Sequence, residues 1–130
     1  MPSLDTNVIV RLFLDENPTQ TKAAQDCLTT YDRIEVADLA IIESLYILAD
    51  RYELGREKAV ELINMVISHP RINCNRGLFA RALPLYLKHR ALSIEDCCLA
   101  TYAELNGSSP LLTFDRMLAN QSVHAELLKS

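Results

Sequence analysis

Pro2-Ser3-Leu4-Asp5-Thr6-Asn7 opens the chain, and Val8-Ile9-Val10-Arg11-Leu12-Phe13-Leu14 follows at once. Residues 2–4 read as a short buried strand, and residues 8–14 as the start of a helix. Between them stand a carboxylate, a hydroxyl and an amide. Such groups at a strand-to-helix junction either cap the helix or work in a site built there, since Asp and Asn side chains in turns bond nearby backbone amides.

The same alternation recurs down the chain. Residues 19–30 form a second helix, with Ala23, Ala24, Cys27 and Leu28 on its inner face. Residues 34–36 are a short strand, and Asp38 caps a long helix running to Tyr52. Gly55 breaks the chain, and Ala59, Leu62, Ile63, Val66 and Ile67 mark an amphipathic helix over residues 56–68. Residues 71–74 offer another strand. Phe79, Ala82, Leu83, Tyr86 and Leu87 give the next helical stripe, which Pro84 should kink or split. Residues 93–105 are a helix stopped by Asn106-Gly107, and residues 111–114 are the last clear strand. After Arg116 the tail starts as helix, and residues 123–128 make no convincing strand.

Short strands alternating with helices predict an α/β fold, a short central parallel β-sheet flanked by helices. At 130 residues the chain fits a single domain, 1–130, with one core. Ligands in such sheets bind at the carboxyl ends of strands. Asp5 and Asp115 each directly follow a predicted strand.

Composition narrows the function. No stretch approaches the ~20 apolar residues of a membrane span. The N-terminus lacks the basic and apolar regions of a signal peptide, so the expectation is a cytoplasmic protein. Cys27, Cys74, Cys97 and Cys98 show no C-x-x-C spacing and read as reduced thiols, Cys97 and Cys98 as core. The net charge of −4 argues against a broad phosphate-binding surface. It leaves room for a nucleic-acid enzyme whose clustered carboxylates are compensated locally by metal ions.

Four acids stand in apolar surroundings, and each has an ordinary structural reading. Asp5 and Asp115 could cap the helices that follow them. Asp96, three residues after Ser93, completes an S-x-x-D pattern resembling a capping box. Glu43 lies in a segment, residues 39–49, whose other polar side chains are Ser44 and the Tyr46 hydroxyl. A helix apolar nearly all round is buried nearly all round, so Glu43 should be protonated, paired with an arginine or bound to a metal. Taken jointly, the four fit a hard divalent cation. Mg²⁺ takes octahedral oxygen ligands and keeps several waters, so a few carboxylates suffice. One or two ions so held can activate a water and stabilise charge developing on a phosphodiester.

The blocks around these acids resemble a known family. They are Leu4-Asp5-Thr6-Asn7-Val8-Ile9-Val10-Arg11, Glu43-Ser44-Leu45-Tyr46-Ile47-Leu48, Ser93-Ile94-Glu95-Asp96-Cys97-Cys98-Leu99-Ala100 and Thr113-Phe114-Asp115-Arg116. Together, in this order and spacing, they are similar to PIN-domain ribonucleases, and within these to the VapC-type toxins of bacterial toxin–antitoxin pairs. The resemblance implies a metal-dependent endoribonuclease with Asp5, Glu43, Asp96 and Asp115 as catalytic, metal-binding acids. It implies Mg²⁺ or Mn²⁺, one or two ions, with Thr6, Asn7 and Thr113 as supporting polar groups. It also implies an RNA substrate, a homodimer, and an antitoxin whose tail fills the acidic site. Arg11 and Arg116 are the basic residues nearest these acids in sequence and the candidates for RNA contact. The chain departs from the family pattern at Met117, where some members carry another acid or a histidine, and at Pro84.

Other readings remain open. An RNA-processing PIN nuclease without an antitoxin, or an inactive PIN domain serving as a binding module, would carry much the same blocks. A haloacid-dehalogenase phosphatase also begins with an aspartate after a strand, but it needs a second acid where this chain has Asn7. Leu12, Phe13 and Leu14 cannot all face one core, because successive helical side chains lie about 100° apart. With Val60 and Met65 beside the main stripe of residues 56–68, they point to a surface covered by a second copy.

Overall fold

Backbone hydrogen bonds tie the start of the chain to a strand thirty residues on. The Leu4 N–H donates to Glu35 O, and the Glu35 N–H donates to Pro2 O. The computed structural model describes residues 1–129, and they divide into two compact units, the second beginning at Arg76.

In the first unit, β1 (Ile34–Glu35) pairs in parallel with β2 (Ile72–Asn73). On its other side β1 meets the opening segment in a parallel bridge, Ser3 to Glu35. The strands are very short, and Ile34, Val36 and Ile72, which share one face of the pair, are buried, so that face lies against the core. Asp5 stands at the carboxyl end of the opening segment. It accepts the Thr6 N–H and so caps α1 (Thr6–Arg11), whose Ile9 and Val10 are buried. Next come α2 (Pro18–Thr30), α3 (Asp38–Tyr46) and α4 (Arg56–Ile67), with α1 packed on α2 and α3. Asn17 caps α2, and Pro18 takes its first turn, where a missing N–H costs nothing.

In the second unit α5 (Arg76–Lys88) packs on α6 (Ile94–Leu105). Parallel strands β3 (Leu111–Thr113) and β4 (Ala125–Leu127) are joined through α7 (Arg116–Gln121). Gly107 adopts φ +64° after α6, the left-handed conformation that ends a helix without a Cβ clash. The fold is therefore α/β with short parallel strands, as the alternation predicts. Among the described residues no helix is long and apolar enough to cross a membrane. None of the four cysteines forms a disulfide among the described residues, and Cys97 and Cys98 are buried.

Several local expectations need correction. Residues 123–128 do contain a strand, β4, held by backbone pairing that the exposed, weakly patterned sequence does not announce. Pro84 does not split its helix, because α5 runs unbroken from Arg76 to Lys88. Both Pro84 and Ala80, whose carbonyl loses its usual partner, are exposed, so water can satisfy that carbonyl. Asp38 is not the cap of α3. Ala37 holds that position, and Asp38 is the first helical residue, accepting from the Asn75 amide. The helix also stops being regular at Tyr46 and widens into a π-helical turn, Ile47–Arg51. Val60 is 5% exposed and belongs to the core, whereas Met65 is 59% exposed. On α2 only Ala24 of the predicted inner face is buried.

Candidate functional site

Each of the four acids can be followed from its element to its partners. Asp5 is exposed, and its Oδ1 accepts the Thr6 N–H at 2.8 Å. Thr6 is nearly buried, and its hydroxyl donates to Glu43 Oε2 at 3.1 Å. The first turn of the chain is thus linked to α3, 37 residues away. In the second unit Asp96 Oδ2 accepts the Ser93 N–H at 3.1 Å, and Ser93 Oγ accepts the Asp96 N–H at 3.1 Å. This is a complete capping box. Asp115 Oδ1 accepts the N–H groups of Met117 at 2.9 Å and Leu118 at 3.1 Å, while the Asp115 N–H donates to Thr113 Oγ1 at 2.9 Å.

The capping readings of Asp5, Asp96 and Asp115 are therefore all real. They do not exhaust the carboxylates. Every one of the four acids anchors a single oxygen to the protein. The other oxygen (Asp5 Oδ2, Glu43 Oε1, Asp96 Oδ1 and Asp115 Oδ2) has no hydrogen-bond or ion-pair partner among the described residues. A carboxylate so held is oriented by one oxygen and offers the other.

Glu43 differs from expectation in its surroundings. It is exposed, on a face of α3 shared with Leu39, 65% exposed, and Tyr46, 51% exposed. The residues buried on α3 are Ala40, Ile41, Ser44 and Leu45. Apolar composition misled here because Leu39 and Tyr46 sit at i−4 and i+3 from Glu43, on the outward side. The arginine pairing is also absent, since Glu43 has no cationic partner among the described residues.

The structure brings Thr6 and Glu43 into contact, and Thr113 and Asp115. Among the described residues no group of three or more His, Cys, Asp or Glu stands close enough together to hold a metal ion. Asp5 and Glu43 in the first unit, and Asp96 and Asp115 in the second, are oxygen donors of the kind a hard divalent cation takes. Asn7 is exposed at the second position of α1. Arg11 donates through Nε to Gln20 Oε1 and through Nη1 to Glu16 Oε2, both at 3.2 Å. Arg116 is exposed at the start of α7 and has no partner among the described residues.

Reading the sequence missed one feature beside these groups. A cavity of about 460 Å³ lies along α1 and α2, lined by Asn7, Val8, Arg11, Gln20, Ala23 and Cys27 among others. The signal available was the small-residue pair Ala23-Ala24, three and four positions after Gln20.

Comparison with known proteins now bears on these observations. Among curated proteins none matches the chain. The PIN domain family model matches residues 3–123, from the opening segment to just beyond α7. The order of the acid-bearing junctions and this match over most of the chain lead to one conclusion: the protein belongs to the PIN domain family.

Proposed function

We propose that this protein is a divalent-metal-dependent endoribonuclease, the toxin of a toxin–antitoxin pair. PIN domains are typically nucleases, act on RNA and generally use divalent metal ions. The observation that carries the finer reading is the arrangement of the carboxylates, each anchored by one oxygen with the other left unengaged. A carboxylate present only to cap a helix gains nothing from having no cation nearby. One waiting for a ligand does.

Asp5, Glu43, Asp96 and Asp115 would hold Mg²⁺ or Mn²⁺, one or two ions. When bound, the metal would supply an activated water and charge stabilisation at the phosphodiester. The remaining work falls to residues of the chain. The Thr6 hydroxyl fixes one Glu43 oxygen and so directs the other. Thr113 holds the Asp115 backbone at the start of α7, where the Asp115 side chain is already turned by two backbone N–H groups. Asn7, a position from Thr6, is available to orient substrate or water. Arg116, exposed and without a partner among the described residues, can meet an RNA phosphate.

The antitoxin part of the proposal is supported by the exposed row Leu39, Glu43 and Tyr46. It offers a partner segment apolar contacts on either side of an acid, the surface a tail with apolar and basic residues would cover. A homodimer is supported by the half-buried Leu12, Phe13 and Leu14 and by exposed Met65. Leu99, Tyr102 and Leu105 give α6 a second exposed apolar row. We further propose one domain over 1–130 and a cytoplasmic site of action.

The deciding experiment uses pure protein with structured and unstructured RNA, with Mg²⁺ or Mn²⁺ or with EDTA. Cleavage that needs the metal supports the reading. Equal cleavage in EDTA, or none under any condition, overturns it. Light scattering at micromolar concentration checks the dimer, and a single-chain mass unchanged on concentration would sink it.

A further inference from the structure

The cavity along α1 and α2 is built from two kinds of wall. Val8, Ala23 and Cys27 give it an apolar side made of small and medium side chains. Arg11, Gln20 and Asn7 give it a polar side. Its volume, about 460 Å³, is that of a small-molecule site, and mostly apolar walls with a few placed polar groups are the usual make-up of such sites.

The polar side is already organised. Gln20 Oε1 accepts from Arg11 Nε, so the amide is oriented and its Nε2 is left to donate. Arg11 Nη1 is held by Glu16, which leaves Nη2 without a partner among the described residues. Two donors on neighbouring side chains match a ligand edge with two adjacent acceptors. Guanine presents such an edge at O6 and N7, the pair arginine most often reads, and an unpaired cytosine presents one at O2 and N3, so the cytidine arm of a titration is the discriminating one. The apolar side suits the face of a flat ring, and single-stranded RNA is read largely through bases splayed out of their stack.

Position connects the cavity to Asp5. Asn7, Val8 and Arg11 follow on the helix that Asp5 caps. At 1.5 Å rise per residue they lie within about 9 Å of it along the axis. That is comparable with the reach from a phosphate to the base of its own or the next nucleotide.

We propose that this cavity receives one unstacked guanine of the RNA beside the cleaved phosphate, with Gln20 and Arg11 as specificity-determining residues. The proposal rests on the RNA-cleaving reading for its biological sense, and its test is independent of activity. The full chain, labelled with ¹⁵N, is titrated with the 5′-monophosphates of guanosine, adenosine, cytidine and uridine, and with ribose 5-phosphate. Guanosine monophosphate should move the Gln20 side-chain amide and the backbone amides of Ala23, Ala24 and Cys27. Ribose 5-phosphate should leave them in place. Ala23→Leu, at an exposed helical position, should fill the cavity and weaken guanosine monophosphate at least tenfold. Gln20→Glu, which replaces a donor by an acceptor, should do the same without filling it.

Equal shifts with ribose 5-phosphate would mean phosphate binding alone and overturn the proposal, as would unchanged affinity in both variants. A chain that cuts RNA but shows no shifts at these amides overturns the guanine site and leaves the nuclease reading standing. Guanosine-specific shifts in a chain that cuts no RNA support the guanine site and overturn the nuclease.

Discussion

Two junctions in this protein use the same device with different reach. At the first, the opening segment ends at Asp5, which caps α1 through one N–H, and the neighbouring Thr6 hydroxyl crosses to Glu43. At the last, β3 ends near Asp115, which caps α7 through two N–H groups while Thr113 accepts the Asp115 N–H. Every bond of the Asp115 side chain and N–H lies within three residues. The threonine at Asp5 instead binds a second acid far along the chain. The Asp115 junction is set by local sequence, whereas the Asp5 junction places a second acid through the tertiary fold. In the proposed function each aspartate is both cap and ligand, and the two roles separate by substitution.

The largest expected effect comes from removing charge while keeping the cap. Asn caps helices about as well as Asp. Asp5→Asn and Asp115→Asn should therefore leave the melting temperature in EDTA unchanged. Each should lower metal-dependent RNA cleavage by about a hundredfold or more, since metal assistance supplies several kcal/mol to the transition state. Wild-type cleavage by either pure variant would remove that acid from the site and leave it a cap only.

Thr6→Val should have the next largest effect, and only at the first junction. Val matches Thr in shape and keeps the N–H bonded to Asp5. Glu43 would lose the donor that orients it. Groups that position metal ligands are typically worth about 10–100-fold in metal affinity or activity. The expected result is a rise in the metal concentration needed for half-maximal cleavage, with melting in EDTA little changed. An unchanged metal dependence would reduce the Thr6–Glu43 bond to packing detail.

Removing the caps outright should reverse the ranking of the junctions. Asp115→Ala loses bonds to two backbone donors, and Asp5→Ala loses one. Cap removal costs about 0.5–2 kcal/mol, so Asp115→Ala should fall toward the upper end and Asp5→Ala toward the lower. Denaturant unfolding in EDTA measures both. Equal losses would show that the number of capped N–H groups does not decide the cost.

Glu43→Gln, like Asp5→Asn, should cost no stability. Glu43 is exposed and has no cationic partner among the described residues, and Gln can still accept from Thr6. Unfolding in EDTA should be unchanged or slightly harder, while cleavage falls. A large drop in stability would restore the idea of a structural ion pair, whose breakage in a buried setting costs about 3–5 kcal/mol.

The sequence by itself determined the features whose partners lie close along the chain. The cap at Asp5, the Ser93–Asp96 box, the cap at Asp115 and the stop at Gly107 are all legible, because each depends on groups within a few residues. The α/β alternation and the order of the acid-bearing blocks were legible for the same reason, and the PIN family match follows that order. Only the tertiary structure decided the outward face of α3. The apolar character of Leu39 and Tyr46 implied burial, and nothing in the residues themselves states which side of a helix finds a neighbour. The Thr6–Glu43 bond, the inward turn of Val60, the β4 pairing and the cavity beside Arg11 share that property. Each depends on where segments distant in sequence, or neighbouring helices, come to rest, and that is settled by packing rather than by local propensity.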